Sequence, residues 1–115
     1  MSNLFADIPT ELDEELVTVL LKLPGVRLER IVSRGQASPP GFWYDQDVGE
    51  WVAVLKGAAT LEVEGRDEVK LSAGGHLYLP PRCRHRVTWT DPEQNTIWLA
   101  LFVPDADVDL SLGQL

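Results

Sequence analysis

The chain has 115 residues, 44% of them apolar and 24% charged, which fits one compact soluble domain with its own core. A net charge of −8, from 10 Lys and Arg against 18 Asp and Glu, excludes the phosphate-neutralising surface that nucleic-acid binding requires. A single cysteine, Cys83, excludes an intrachain disulfide, and no apolar run approaches the roughly 20 residues of a membrane span.

The opening residues Met1 to Asp7 lack the basic region and apolar run of a secretory signal. Together with the lone cysteine, this leads to an expected cytoplasmic location, with neither nucleic acid nor membrane as partner. Thr10 reads as a helix N-cap with acidic residues in the first turn. Leu12, Leu16, Val19, Leu20 and Leu23 recur at helical spacing, and Pro24-Gly25 stops the run. The pattern predicts a helix over residues 11–22, inside an N-terminal helical segment of residues 1–25.

From Val26 the period changes to two. Strands are predicted at Val26–Ser33, Trp51–Lys56, Ala59–Glu64, Glu68–Leu71, His76–Leu79, Arg84–Thr90 and Thr96–Val103, with turn residues between them. Short strands at this spacing predict an all-β sandwich or barrel over residues 26–103. Residues 104–115 carry little hydrophobic pattern and read as a C-terminal tail. Arg27, Arg30 and Arg34 fall in one segment, and Arg82, Arg84 and Arg86 in another. Such alternation usually marks a solvated strand face. The sharper reading makes Arg30 or Arg34 the anchor for an anionic group at a cavity mouth.

Two half-motifs carry the functional signal. In the first, Glu50 is followed after six residues by Gly57. In the second, Gly74 is followed after five residues by Pro80, and His85 stands five further on. These spacings resemble the two motifs of the cupin superfamily. The run Ser33 to Gln46, with Gly41-Phe42-Trp43-Tyr44-Asp45-Gln46, is similar to small single-domain cupins. The resemblance covers residues 26–103 and implies a single-domain, RmlC-like jelly-roll barrel, all-β apart from the short N-terminal helix, and a homodimer. Arg82 stands where that family usually has glycine, and Trp89 where it often has asparagine. In metal-binding cupins two histidines stand four and six residues before the glutamate; here those positions hold Gln46 and Tyr44.

The resemblance therefore implies a reduced metal set of Glu50, His85 and Gln46, with Tyr44 as a further weak ligand. Imidazole and carboxylate together suit Zn, Ni, Fe or Mn. Two strong ligands are one fewer than catalytic sites normally use. Tyr44, Cys83, Trp89 and Arg30 are candidate cavity-lining residues, Cys83 and Trp89 because they share strand parity with His85. The plainer readings are a hydrogen-bonded structural histidine, an inert buried cysteine and tryptophans as core bulk. His76 reads as a surface or structural residue. Three functions stay open. One is a metal-dependent enzyme of the dioxygenase, isomerase or decarboxylase type. The second is a metal-free module binding a small polar molecule. The third is an interaction protein using an apolar sheet face.

Overall fold

The computed structural model describes residues 2–104 and shows eight strands: β1 Leu16–Leu23, β2 Val26–Ser33, β3 Gly49–Lys56, β4 Ala58–Val63, β5 Val69–Ser72, β6 His76–Leu79, β7 His85–Thr90 and β8 Thr96–Val103. They form two antiparallel sheets. One has five strands in the order β1-β2-β8-β3-β6, the other three in the order β5-β4-β7. Alternate residues of both sheets turn inward. Val52, Val54, Leu61, Leu71, Trp98 and Ala100 make the packed core between them.

The first element corrects the sequence reading. Residues 16–23 form a strand, where a helix over residues 11–22 and a helical segment over residues 1–25 were expected. Leu16-Val17-Thr18-Val19-Leu20-Leu21 is nearly continuous in apolar residues, so a 3.6-residue spacing can be picked out of it by chance. Val17, Thr18 and Val19 are β-branched in succession. Their side chains are crowded in a helix and fit a pleated surface. Long-range pairing then decides the matter: β1 lies antiparallel on β2, from Leu16 opposite Val32 to Leu23 opposite Val26. Pro24-Gly25 is the two-residue link of this hairpin, with Gly25 at φ 77°. The expected tail of residues 104–115 lies outside the described residues from position 105 onward.

Irregularities in the ladder decide where side chains point. Between β4 and β7 the register passes from Thr60 opposite Trp89 to Leu61 opposite Val87. The extra residue on β7 is a bulge, and it reverses the in–out alternation beyond Val87. Thr90 is consequently buried and Trp89 is exposed. Among the described residues no helix is long and apolar enough to cross a membrane.

Gly57 links β3 to β4 at φ 87°, and a Cβ there would lie 2.7 Å from the Asn95 carbonyl and against the Thr96 hydroxyl. That hydroxyl also bridges the N–H and C=O of Ala58, so the turn cannot yield easily. Gly65 has a similar φ of 80° but open space around it. Gly57→Ala should therefore cost about 2–4 kcal/mol and Gly65→Ala about 1 kcal/mol in urea unfolding. Equal costs for the two would show that backbone conformation alone, and not the close approach at Gly57, sets the penalty.

Candidate functional site

The inward faces of β2, β3, β7 and β8 enclose a cavity of about 160 Å3. Its walls are mostly apolar, with Ile31, Val52, Leu61, Val87 and Phe102 prominent. Glu50, His85, Gln46 and Tyr44 also reach it. Glu50 comes from the five-stranded sheet and His85 from the three-stranded one, so the two sheets meet chemically at this point.

Glu50 is 9% exposed and His85 5%. His85 Nε2 lies 3.6 Å from Glu50 Oε1, beyond a direct hydrogen bond but well within charge–charge reach. The other ring nitrogen, Nδ1, is 2.9 Å from the Cys83 carbonyl. A carbonyl only accepts, so Nδ1 carries the hydrogen and Nε2 is the nitrogen that faces Glu50. In a neutral ring, Nε2 would present a lone pair to a carboxylate. Two acceptors facing one another in a dry site need a cation between them, and a proton on Nε2 is sufficient. Burial disfavours that charge. The Glu50 carboxylate facing Nε2, with its negative charge, and the Cys83 carbonyl together outweigh burial, and the imidazole pKa rises above its ordinary value.

Local structure fixes both partners. Tyr44 and His85 exchange backbone hydrogen bonds of 2.7 and 3.1 Å in an isolated bridge, and the tyrosine ring stacks on the imidazole at 5.2 Å with an interplanar angle of 21°. Phe42 packs edge-on against Tyr44 at 4.9 Å. Burial, followed by the charges of Glu15 and Glu50, raises the Tyr44 pKa, so the phenol stays neutral. Gln46 donates from Nε2 to Glu50 Oε1 at 2.9 Å.

The structure thus brings Glu50, His85, Gln46 and Tyr44 together. It places three other expected lining residues elsewhere. Arg30 sits on the opposite face of β2 from Glu29 and Ile31, where it donates to the carbonyls of Leu4 and Ala6 at 3.2 and 2.7 Å. Arg34 donates to the Thr10 carbonyl. Trp89 is turned out by the β7 bulge. Cys83 precedes β7 in a turn and contributes its carbonyl rather than its thiol. His76 is exposed beside Trp51. Sequence reasoning missed Glu15 and Glu29, which also line the cavity. The parity of Glu29 with Ile31 on β2 is the signal that could have found it. Glu15 was hidden by the helix assignment.

A resident divalent metal would need about three protein ligands here. Among the described residues no three His, Cys, Asp or Glu side chains come close enough together to hold one. Gln46, the expected third ligand, turns its NH2 and not its oxygen toward Glu50. An amide nitrogen has its lone pair delocalised into the carbonyl and does not ligate a cation, so as arranged the residues do not fit a tightly held metal centre.

Comparison with known proteins places this geometry in context. The chain matches the cupin domain family over residues 30–102. A crystal structure from Ralstonia eutropha, of a protein provisionally named a mannose-6-phosphate isomerase, is 48% identical. It aligns with a TM-score of 0.88 over 92% of this chain and 98% of that one. A cupin superfamily protein from Desulfitobacterium hafniense is 14% identical with a TM-score of 0.70, covering 85% of this chain and 84% of that one. An RmlC-like cupin with a double-stranded β-helix fold from Methanocaldococcus jannaschii is 18% identical with a TM-score of 0.66, covering 85% and 87%. These last two share the fold alone. No curated protein matches the chain.

The raised imidazole pKa has a consequence for stability. A group whose pKa is higher folded than unfolded contributes stability that is full below the unfolded value, about 6.5, and is lost as pH rises through the folded value. The stability difference between wild type and His85→Gln should be greatest at acidic pH and shrink with rising pH. The NMR titration midpoint of His85 should lie above 6.5 in wild type and fall in Glu50→Gln, where burial opposes the charge without a facing carboxylate. An unchanged midpoint in Glu50→Gln would show that the pair is not electrostatically coupled.

Proposed function

The chain belongs to the cupin domain family, and from that premise we propose that its barrel cavity binds a small polar molecule without a resident metal. One observation carries this reading: four polar side chains, Tyr44, Gln46, Glu50 and His85, converge on a half-enclosed space whose other walls are apolar. Apolar walls with a few fixed polar groups are how proteins bind small ligands with a set orientation. A volume near 160 Å3 suits a ligand of roughly six to ten non-hydrogen atoms. The protonated His85 can donate to a ligand oxygen, Glu50 can accept from a ligand hydroxyl, and the pair can pass a proton to or from whatever sits between them.

The rival reading keeps a divalent metal on Glu50 and His85, with Gln46 rotated to offer its oxygen. Elemental analysis of tag-free protein separates the two. The proposed reading expects no stoichiometric transition metal. Metal near one equivalent, lost in both His85→Ala and Glu50→Ala, would replace it with the metal-dependent one. In a thermal-shift screen of sugars, organic acids and amines, ligands should raise Tm by a few degrees in wild type. They should fail to do so in Val87→Trp, which fills the cavity, and in His85→Ala. Ligands that stabilise both variants as well as wild type would place binding outside the cavity.

Two copies associate through β1. This strand is a sheet edge that exposes Val17, Val19, Leu20, Leu21 and Leu23, and Lys22 is its one charged residue. An uncovered apolar edge in a monomer invites pairing, and a two-fold contact can satisfy it with a single self-complementary patch. Light scattering should give twice the 12.8 kDa chain mass for wild type. Val19→Asp with Leu21→Asp, at positions 52% and 49% exposed, should give a folded monomer. A monomeric wild type would refute the association.

A further inference from the structure

The outer face of β2 holds a buried cation without a counter-charge. Arg30 is 6% exposed, and no carboxylate lies within ion-pair distance of it among the described residues. Arg27, Arg82 and Arg84, all far more exposed, each pair with a carboxylate. Arg30 has two backbone carbonyls instead, of Leu4 and Ala6, and both accept from its Nη1. Its Nε is sealed with no partner among the described residues. Its Nη2 is neither engaged by a described residue nor sealed, so this nitrogen is left to a ligand. A guanidinium taken out of water keeps a large desolvation cost until an anion meets it.

Arg30 lines a groove of about 330 Å3 between the N-terminal segment and β1. This groove shares no lining residue with the barrel cavity. Thr18 stands directly opposite Arg30 on β1, so both side chains leave the same face of the sheet. Thr18 lines the groove too, and its half-buried hydroxyl can donate to the group that Arg30 holds. Leu4, Leu16 and Leu20 supply apolar walls. Asp7, the acid of the groove, is exposed, where water screens its charge. One guanidinium balances one negative charge. A phosphate dianion would leave charge over and meet Asp7 as well. A carboxylate matches the cation, and the leucines favour an apolar chain behind it.

We propose that this groove is a second ligand site, for a small monocarboxylate with an apolar chain. The carboxylate accepts from Arg30 Nη2 and the Thr18 hydroxyl, and the chain lies along Leu4, Leu16 and Leu20. The two carbonyl bonds already fasten the N-terminal segment over Arg30, so the site is formed before the ligand arrives. It does not depend on the barrel-cavity reading, because the two spaces lie on opposite faces of β2.

The test is calorimetric titration of the full chain with three probes: 4-methylpentanoate, its neutral counterpart 4-methylpentan-1-ol, and inorganic phosphate. 4-Methylpentanoate should bind about tenfold more tightly than the alcohol and more tightly than phosphate. Arg30→Gln should remove that preference. Thr18→Val keeps the shape of its side chain and the fold, and should weaken 4-methylpentanoate about fivefold, so the site is tested even where Arg30→Gln does not fold. Val87→Trp, which fills the barrel cavity, should leave the affinity unchanged. The alcohol or phosphate binding as tightly as 4-methylpentanoate, an affinity unmoved by Thr18→Val, or heat from none of the three would overturn the proposal. Binding lost in Val87→Trp and unmoved in Thr18→Val belongs to the barrel cavity, which overturns the second site and supports the first.

Discussion

A carboxylate and an imidazole, both almost fully buried, face one another across the seam of two sheets. Most of the site follows from that arrangement. Glu50 cannot be buried as an anion without a counter-charge, and His85 is the residue that supplies it. Everything around the pair serves to orient it. The Cys83 carbonyl fixes which ring nitrogen bears hydrogen, the Tyr44 bridge fixes the height of the ring, and Gln46 holds one carboxylate oxygen. A geometry in which a lone pair faces a carboxylate favours a bound proton, which is why the imidazole pKa moves up despite burial.

The same pair explains how this site departs from a metal centre built on the same barrel. The family frame offers two ligand positions ahead of the glutamate, and here tyrosine and glutamine occupy them. Glutamine does not simply weaken the ligand set. It donates to the carboxylate and so partly takes over the role a cation would have. Stacking Tyr44 on His85 likewise turns a ligand position into an aromatic wall. What results is a mostly apolar cavity with a few fixed polar groups at one end.

The outer features follow a different rule. Arg30 is buried on the far face of β2 beneath the N-terminal segment, where the Leu4 and Ala6 carbonyls accept from its guanidinium. The strand β1 remains the least covered part of the fold, with apolar side chains exposed along an edge. Cavity and edge touch, since Val17 of β1 lies on the cavity wall, so association through β1 would also narrow the mouth of the site.

Much was legible from the sequence alone. Seven of the strands follow from two-residue periodicity and turn residues, which are local properties of the chain. The spacings from Glu50 to Gly57 and from Gly74 through Pro80 to His85 marked the two residues that meet in the barrel. Strand parity goes no further than the nearest bulge, and so it failed for Trp89, where one extra residue on β7 reverses the faces. On β2, parity sets Arg30 on the face opposite Glu29 and Ile31, away from the cavity. Residues 16–23 carry both helical and extended signals, and only pairing with β2 resolves them, because the deciding hydrogen bonds belong to a different segment. The direction in which Gln46 turns its amide, and the absence of arginine or lysine among the described lining residues, are likewise products of packing. Sequence fixes which chemical groups are available, whereas their facing, charge balance and enclosure arise from contacts between residues far apart in the chain.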